Sequence, residues 1–548
     1  MKKYPLNYFA AFALTVIAVS GPSSSAAVKP SSLFTDNAVL QRGVQIPVWG
    51  TADPGQKITV ALDGPSMTTT ADSSGAWSVK LPSHTAGGPF TLTIASGSET
   101  VTLKNVLVGE VWLCGGQSNM FYPLNGFPNN PLTRAAIPLA TDPLLHIAVV
   151  APTIGDTPQT SVAVSWQTAT PETVPTFSAV GYFFGRDLRK ALGVPVGLIE
   201  SCIGGTSAEA WVSREALQNV PSLSHYLSEL DDYTAKYPAQ LQKYNDAKAV
   251  NDAAMVKWKA EADAAKAAGS PPPPNRPRWI APPLEPAKVF NVSTRLFNGM
   301  ISPLIPYGIK GAIWYQGEAN WNQGWDYKTL LPTLISDWRN RWGEGDFPFL
   351  YVQLPGFNAV VDTPGTSWFA EVREAQRLTL AASPNTGMVT INDLGDQKDI
   401  HPYRKEPVGR RLALAARAVA YGQKVEYSGP AFSKLDIEGA KAIVTFTHAD
   451  GLHTEAIHDS ADDGPVVAPA DKVTGFAIAG TDLKYYAAEA VIQGVTVILT
   501  SPNVPTPVSV RYGWAQYPLA NLVNSSGLWA SPFRTDSATF ISAPKQVH

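Results

Sequence analysis

The sequence predicts an α/β protein: a parallel sheet with helices on both faces, interrupted by a helical insertion and flanked by N- and C-terminal β-sandwich domains. Three features indicate this architecture. Between residues 108 and 422, apolar strands alternate with helical segments, which is typical of a covered parallel sheet. Strand-and-turn sequence lies on either side, and the 46 Pro and 43 Gly favour many turns. A segment rich in Ala, Lys, Asp and Glu interrupts the alternation from about residue 215 to 278.

Length and composition describe a globular chain of several domains. Its 548 residues exceed what one core usually serves, and a hydrophobic content of 45% provides ample core. The formal net charge of −3 gives no basic surface. We therefore expect neither nucleic acid nor a membrane as a partner.

The first 27 residues have the pattern of a secretory signal peptide. Lys2 and Lys3 supply the positive end, an apolar segment runs from Tyr8 to Ser20, and small residues precede residue 28. The apolar segment is too short for a membrane-spanning helix, and we find no later spanning segment. We therefore expect export of the mature chain, to the periplasm or beyond.

The sequences of the two flanking regions predict β domains. Residues 28–107 contain "KITVALDG", "GAWSVKLPS", "FTLTIAS" and "ETVTLKNV", which alternate as in a small antiparallel sandwich. Residues 423–548 again show strands alternating with turns, in "KAIVTFTHADG", "AVIQGVTVILTSP" and "PVSVRYGWAQYP". We expect a second β domain there.

Residues 108–422 are predicted to form the sheet-and-helix domain. Its candidate strands are "GEVWLC", "VPVGLIES", "IKGAIWYQ", "PFLYVQLP" and "TGMVTIND". The helix "SAVGYFFGRDLRKALG" has one apolar face, at the spacing expected of a helix packed on a sheet. The insertion at about 215–278 ends in Pro271 to Pro274, which cannot continue a helix. The sequence of this insertion predicts a solvent-exposed helical segment, followed by a stiff proline-rich segment that leads back to the domain. A coiled coil or a partner-binding segment is the alternative.

A serine stands directly after the first central strand, in "GEVWLCGGQSNM". Sites in open parallel sheets form beyond the carboxyl ends of strands, so Ser118 occupies a suitable position for a nucleophile. A serine needs a base, and the central region holds His146, His225 and His401. Only His401 follows a strand, the last one, whose exit can meet that of the first at one crevice. The sequence predicts a Ser118–His401 pair; a capped turn and a structural histidine are the alternatives.

Four sequence blocks resemble a known family. "GEVWLCGGQSNM", "CIGGTSAEAW", "GAIWYQGEAN" and "DIHPYRKEPVGRRLA" are similar to those of sialate O-acetylesterase-like enzymes, within the SGNH hydrolase superfamily. The resemblance extends to "LFTDNAVLQRG", "IPVWGTADPGQKITV" and "VRYGWAQYPLANLVNSSGLWASPFRTD", and omits only the helical insertion. It implies a flavodoxin-like SGNH sheet and acetyl-ester hydrolysis on sugars by a serine mechanism. It implies neither a metal nor another cofactor, and no cluster has metal-ligand spacing.

The resemblance also implies the catalytic roles. Ser118 matches the nucleophile that forms an acetyl-enzyme, and His401 matches its general base. Asp399 is the expected orienter of His401. The superfamily usually has an Asp three positions before the histidine, where this chain has Lys398. The other candidates for the acid are therefore Asp396, Asp393 and Glu318.

An oxyanion site needs N–H donors that point at the developing charge. We expect the Ser118 N–H to be one donor, and the N–H of Gly204 or Gly205 to be another, because glycine permits close approach. A plain turn is the alternative for the two glycines. The third donor is expected to be the side-chain amide of Gln316, with Asn320 as the alternative.

Aromatic residues cluster on the predicted strand ends. Their indole and phenol faces can stack on sugar rings, but large aromatics also dominate cores, so we expect about half of them to be buried. No single one is predicted to contact the substrate. The cluster consists of Trp314, Tyr315, Trp321, Trp325 and Trp368.

Two cysteines, Cys114 and Cys202, lie on the first and second central strands. An exported chain with an even number of cysteines invites a disulfide. Buried free thiols are the alternative, since neighbouring strand positions rarely meet the geometry of the bond.

The sequence favours a carbohydrate O-acetylesterase acting on acetylated sialic acids or on plant cell-wall glycans such as xyloglucan or xylan. The alternative is a non-catalytic carbohydrate-binding protein on an esterase scaffold. The presence of Ser118, His401 and an adjacent acid favours the enzyme. No sequence feature identifies the sugar or the acetylated hydroxyl.

Overall fold

The structure is a computed structural model that describes residues 27–126, 131–361, 363–460 and 464–544. The predicted signal peptide, residues 1–27, lies outside the described residues except for Ala27. Among the described residues, no helix combines the length and the apolar character needed to cross a bilayer.

The N-terminal region consists of strands whose side chains alternate between core and solvent. In the fourth strand, Ile58, Val60 and Leu62 are buried while their neighbours are not, as one face of a sheet requires. The strands are β1 (Lys29–Pro30), β2 (Val39–Gln41), β3 (Ile46–Thr51), β4 (Lys57–Leu62), β5 (Ser66–Thr70), β6 (Ala76–Leu81), β7 (Gly87–Ser96) and β8 (Glu99–Gly116). One sheet has the order β1-β3-β6, and β5, β4, β7 and the first half of β8 form a second, antiparallel sheet.

The central region alternates strands and helices. Its elements are α1 (Ser118–Phe121), α2 (Pro131–Ala136), β9 (Asp142–Val149), β10 (Trp166–Ala169), α3 (Ala179–Leu192), β11 (Val196–Cys202), α4 (Arg214–Gln218), α5 (Glu229–Ala267), β12 (Gly311–Tyr315), α6 (Gly324–Trp342), β13 (Phe349–Val352), α7 (Trp368–Ala382), β14 (Thr386–Val389) and α8 (Lys405–Val419). The sheet order is β10-β9-β11-β8-β12-β13-β14. All its neighbours pair in parallel except β10, which is antiparallel to β9.

Helices cover both faces of this sheet. On β12, Ile313 packs in the same buried cluster as Phe183 of α3 and Leu412 of α8. The next residue, Trp314, points the other way and packs edge-on against Trp338 of α6, with ring centroids 5.7 Å apart. Every residue of β12 is buried, which explains its unbroken apolar sequence. The predicted α/β class is thereby confirmed.

Strand β8 joins the N-terminal sheet to the central one. Its first half pairs with β7, and its second half lies between β11 and β12. The boundary predicted between residues 107 and 108 therefore falls inside one continuous strand. The division of the chain into domains stays a prediction.

The insertion forms a long helix and a returning extended segment. Helix α5 has no buried residue among those described, and its 39 residues correspond to a length of about 60 Å. The Trp258 indole N–H donates to Pro273 O at 2.9 Å, and the Tyr233 hydroxyl donates to Leu284 O at 2.7 Å. These bonds attach the proline-rich return to the side of the helix.

The C-terminal region is again built of strands. They are β15 (Ala431–Glu438), β16 (Lys441–Thr447), β17 (His453–Thr454), β18 (Ile457–His458), β19 (Val466–Ala468), β20 (Phe476–Ala479), β21 (Tyr486–Ala487), β22 (Glu489–Gln493), β23 (Thr496–Thr500), β24 (Ser509–Tyr512), β25 (Leu522–Val523) and β26 (Phe533–Arg534). The sheets β15-β16-β23-β22 and β21-β20-β24-β26 share one buried core.

The buried side chain of Arg373 on α7 attaches this region to the central sheet. Its guanidinium donates to Leu354 O, just after β13, and to Ala515 O and Gln516 O of the C-terminal region. Asn392, after β14, donates its amide to Ala530 O at 2.9 Å. The loops that leave β13 and β14 are thus held by the C-terminal strands.

Cys114 and Cys202 are buried free thiols, so the disulfide considered for them is wrong and the free-thiol interpretation is confirmed. The strands β8 and β11 place Cys114 opposite Glu200 and Cys202 opposite Gly116, two positions out of register. Burial raises the pKa of both thiols well above the ordinary value, which makes them poor nucleophiles.

Candidate active site

The residues predicted for catalysis lie at the carboxyl edge of the central sheet. Ser118 follows β8, Gly204 follows β11, Glu318 follows β12 and His401 follows β14. Parallel strands bring their carboxyl ends to one edge, so segments far apart in sequence meet there.

A sharp turn presents Ser118 at the end of β8. Gly116 has a φ of +135°, and a Cβ at this position would lie 2.2 Å from Tyr315 O, so only glycine fits. Ser118 is the first residue of α1, and the N–H groups of Met120 and Phe121 both donate to Gln117 O at 2.9 Å. The first N–H groups of a helix have no partner within it. The Ser118 N–H therefore has no acceptor within α1, and its expected role as an oxyanion donor stays a prediction.

His401 contacts both Ser118 and Asp399. Its Nε2 lies 2.9 Å from Ser118 Oγ, and its Nδ1 lies 3.2 Å from Asp399 Oδ1. The same Asp399 oxygen accepts the backbone N–H of His401 at 2.9 Å. With its proton on Nδ1, the ring can accept the serine proton at Nε2. The Asp399 side chain is 58% exposed, so solvent screens its charge.

The other acids on this loop have other partners. Asp396 accepts the backbone N–H groups of Lys398 at 2.7 Å and Asp399 at 2.9 Å, which shapes the turn before His401. Asp393 forms a bidentate pair with Arg411, with both distances 2.7 Å. Asp399 is therefore the acid of this loop that reaches the imidazole.

Glu318 contacts Asn119, the residue after Ser118, rather than the histidine. Asn119 donates its amide to Glu318 Oε1 at 2.5 Å and to Ile400 O at 3.0 Å. The buried ammonium of Lys405 donates to Asn119 Oδ1. Burial raises the pKa of Glu318, and burial lowers the pKa of Lys405 to about 7 although Glu318 and Asp399 oppose that shift.

Sequence reasoning missed Asn119 and Lys405. The available signal was position alone: Asn119 directly follows Ser118, and Lys405 lies four residues after His401, at the start of α8. Asn119 lies in the turn that carries Ser118, and its side-chain amide binds Glu318 of the third block and Ile400 of the loop that carries His401. It therefore fixes three segments of the site relative to one another.

Gly204 places its backbone beside Ser118. A Cβ there would lie 3.4 Å from Ser118 Cβ, whereas Gly205 has a φ of +74° and open space around it. Of the two glycines, Gly204 is the one in contact with Ser118. This contact supports Gly204 as the second oxyanion donor, and the role stays a prediction.

The side-chain amides of Gln316 and Asn320 are both fully bonded. Gln316 Nε2 donates to Thr206 O at 3.2 Å and to Asn320 Oδ1 at 2.6 Å. Asn320 Nδ2 donates to Glu209 Oε2 at 2.9 Å and to Gln323 Oε1 at 2.6 Å. Neither amide has an N–H left for an oxyanion in this arrangement. Their predicted role requires these bonds to rearrange and stays a prediction.

The other histidines of the central region lie elsewhere. His146 is buried and its Nδ1 lies 2.6 Å from Asn37 O, while His225 Nε2 lies 3.4 Å from Asp326 Oδ2. Within residues 27–126, 131–361, 363–460 and 464–544, no group of three or more His, Cys, Asp or Glu side chains could hold a metal ion.

The aromatic cluster divides into core and surface. Trp314 and Tyr315 are buried, as expected for about half of the set. Trp325 is half-buried, with Lys328 Nζ 3.2 Å from its ring centroid. Trp321 and Trp368 are exposed.

Burial and a neighbouring charge both lower the pKa of His401. Burial of the ring lowers its pKa from the ordinary 6.5, the charge of Lys405 lowers it further, and Asp399 opposes both. The neutral imidazole, which is the form that can accept a proton, therefore persists to a lower pH than in an ordinary histidine.

We expect kcat/KM for a small acetyl ester to rise with pH along an acidic limb centred below 6.5, since protonation of His401 removes the base. Lys405→Met removes a positive charge that lowers this pKa, so its limb should move to higher pH. Initial rates of a small aryl acetate across pH measure both, with melting temperature as the control for folding. A limb centred above pH 6.5 in the unmodified protein would contradict this account.

Comparisons with known proteins agree with these features. Residues 289–417 match the family model "Carbohydrate esterase, sialic acid-specific acetylesterase". The chain is 28% identical to a sialate O-acetylesterase of Mus musculus over 484 residues, 81% of this chain and 83% of that one. It is 29% identical to the Homo sapiens protein of the same name over 462 residues, 78% and 77% of the two chains. A solved carbohydrate acetylesterase from Xanthomonas citri is 35% identical, with a TM-score of 0.75, over 93% of this chain and 100% of that one.

Proposed function

Because the chain belongs to the sialate O-acetylesterase-like family of carbohydrate esterases, and is therefore a carboxylic ester hydrolase, we propose that it is a serine-dependent carbohydrate O-acetylesterase. The observation that carries the proposal is the 2.9 Å contact between Ser118 Oγ and His401 Nε2. The central region is then an SGNH-type, flavodoxin-like domain with its site at the carboxyl edge.

In the first half of the reaction, Ser118 Oγ attacks the acetyl carbonyl carbon while His401 Nε2 accepts the hydroxyl proton. The carbonyl oxygen becomes an oxyanion, which the N–H groups of Ser118 and Gly204 stabilise. Asp399 stabilises the imidazolium that forms. Collapse of the intermediate breaks the bond to the sugar oxygen, which takes the proton from His401 and leaves as a hydroxyl.

The second half of the reaction releases acetate. His401 takes a proton from water, whose oxygen attacks the acetyl group on Ser118. The new tetrahedral intermediate expels Ser118 Oγ, which receives the proton back from His401. Substrate hydroxyl, acetate and free enzyme are thus the products, and no other reactant is consumed.

The proposed substrate is either an O-acetylated sialic acid or an acetylated plant cell-wall glycan such as xyloglucan or xylan. The signal-peptide pattern in the first 27 residues supports export, so we propose that this activity lies in the periplasm or outside the cell. A purely sugar-binding protein on this scaffold is the second candidate. It would not require the contacts that join Ser118, His401 and Asp399.

Ser118→Ala removes the nucleophile and leaves the turn intact, because alanine fits the first position of a helix. We expect kcat to fall by about three orders of magnitude or more, as for other serine hydrolases, with an unchanged melting temperature. Release of acetate from a small aryl acetate measures this loss. Near-normal turnover by the folded variant would refute the nucleophile.

Two carboxylate-to-amide variants separate the candidates for the acid. Asp399→Asn should lower kcat about a hundredfold or more with little change in KM, because the imidazolium loses its orienting charge. Glu318→Gln should cost less in kcat, since Glu318 contacts Asn119 rather than His401. The comparison uses one aryl acetate, with melting temperatures measured alongside. If Glu318→Gln abolished turnover while Asp399→Asn stayed active, the acid would come from the third block.

A further inference from the structure

Two tryptophans stand out on the surface at the carboxyl edge of the central sheet. Trp321 is 44% exposed and Trp368 is 36% exposed. Their ring centroids lie 6.1 Å apart with an angle of 73° between the planes, so the pair forms a corner. A lone exposed aromatic needs no explanation, but a pair at the edge that holds a reactive serine is typical of a ligand surface.

Trp321 belongs to the segment that flanks the nucleophile. It follows directly after the short turn Glu318–Asn320. The Ala319 N–H donates to Gln117 Oε1 at 3.1 Å, and Glu318 accepts from Asn119 at 2.5 Å. This turn therefore contacts the residues on either side of Ser118, and Trp321, the next residue along the chain, is exposed.

Trp368 belongs to a segment that flanks the histidine loop. It is the first residue of α7, after the loop that leaves β13. That loop pairs with the histidine loop at Phe357 and Asp396, and the Val360 N–H donates to Gln397 Oε1 at 3.1 Å. Since β13 lies between β12 and β14, this loop leaves the sheet between the segment that carries Trp321 and the loop that carries His401.

We propose that Trp321 and Trp368 form a sugar-stacking subsite beside Ser118 that holds a pyranose ring of the acetylated glycan. The inference rests on the proposed esterase function and names the surface that would select its substrate. Indole faces are apolar and pack against the C–H face of a sugar ring, while the ring's hydroxyls remain in water. A corner of two indoles contacts such a ring on two sides and so restricts its orientation.

The test compares a glycan substrate with an ester that has no sugar. Trp321→Ala, Trp368→Ala and the double variant are assayed on a small aryl acetate, on acetylated xylo-oligosaccharides and on an O-acetylated sialoside. We expect the ratio of kcat/KM for the preferred glycan to kcat/KM for the aryl acetate to fall three- to tenfold in each single variant, mostly through KM. The two glycans distinguish the sources of the pyranose.

Trp279→Ala is the matched control. Trp279 is 79% exposed on the proline-rich return, so the same indole is removed outside the site and the ratio should not change. An unchanged ratio in the Trp321 and Trp368 variants would overturn the subsite. If the ratio stayed unchanged because both substrates lost activity equally, the pair would have a structural role.

Binding separates failure of the subsite from failure of the esterase proposal. Calorimetric titration with an unacetylated xylo-oligosaccharide and an unacetylated sialoside requires no ester hydrolysis. We expect one of them to bind the unmodified protein and to bind the double variant at least threefold more weakly. Binding of neither, or equal binding to both proteins, would refute the subsite, whereas absence of aryl acetate hydrolysis would refute the proposed function.

Discussion

The hydrogen bond between Ser118 and His401 is the constraint on which the site depends. The two residues are 283 positions apart, and β12 and β13 separate their strands in the sheet. The loop after β14 must therefore cross two strand ends to reach Ser118. Buried Asp459 of the C-terminal region accepts from Gln397 N–H at 2.9 Å and from its amide at 3.1 Å, and Asn119 binds Ile400 O from below. These contacts hold the histidine loop in place.

A buried pair of charged side chains on the two ends of the Asn119 amide adds to the same constraint. Glu318 and Lys405 are both buried, and each binds a different end of the Asn119 amide. Removing one of these two charged side chains leaves the other charge buried without compensation. This lowers the stability of the fold more than removing both. The pKa of Lys405, lowered by burial to about 7, reflects this balance between burial and attraction. Burial is the main cause of the lowered pKa of His401, and the charge of Lys405 lowers that pKa further.

Sequence alone located much of the fold and the centre of the site. Unbroken apolar runs such as β12 predicted a sheet covered on both faces, and motifs at strand ends predicted the contacts of Ser118, His401 and Asp399. The continuity of β8 was not predictable, because alternation along one strand does not reveal that two sheets share it. The partners of Gln316 and of Lys405 depend on side chains from distant blocks, so no local pattern could reveal them.

Activation of Ser118 by His401 is the central claim, and labelling with a fluorophosphonate tests it most directly. Such reagents react with serines whose proton a neighbouring base removes. Peptide mass spectrometry should find one adduct, on Ser118, and its rate of formation should fall by at least a hundredfold in His401→Ala. An adduct on another residue, or labelling of Ser118 at an undiminished rate without His401, would contradict the account.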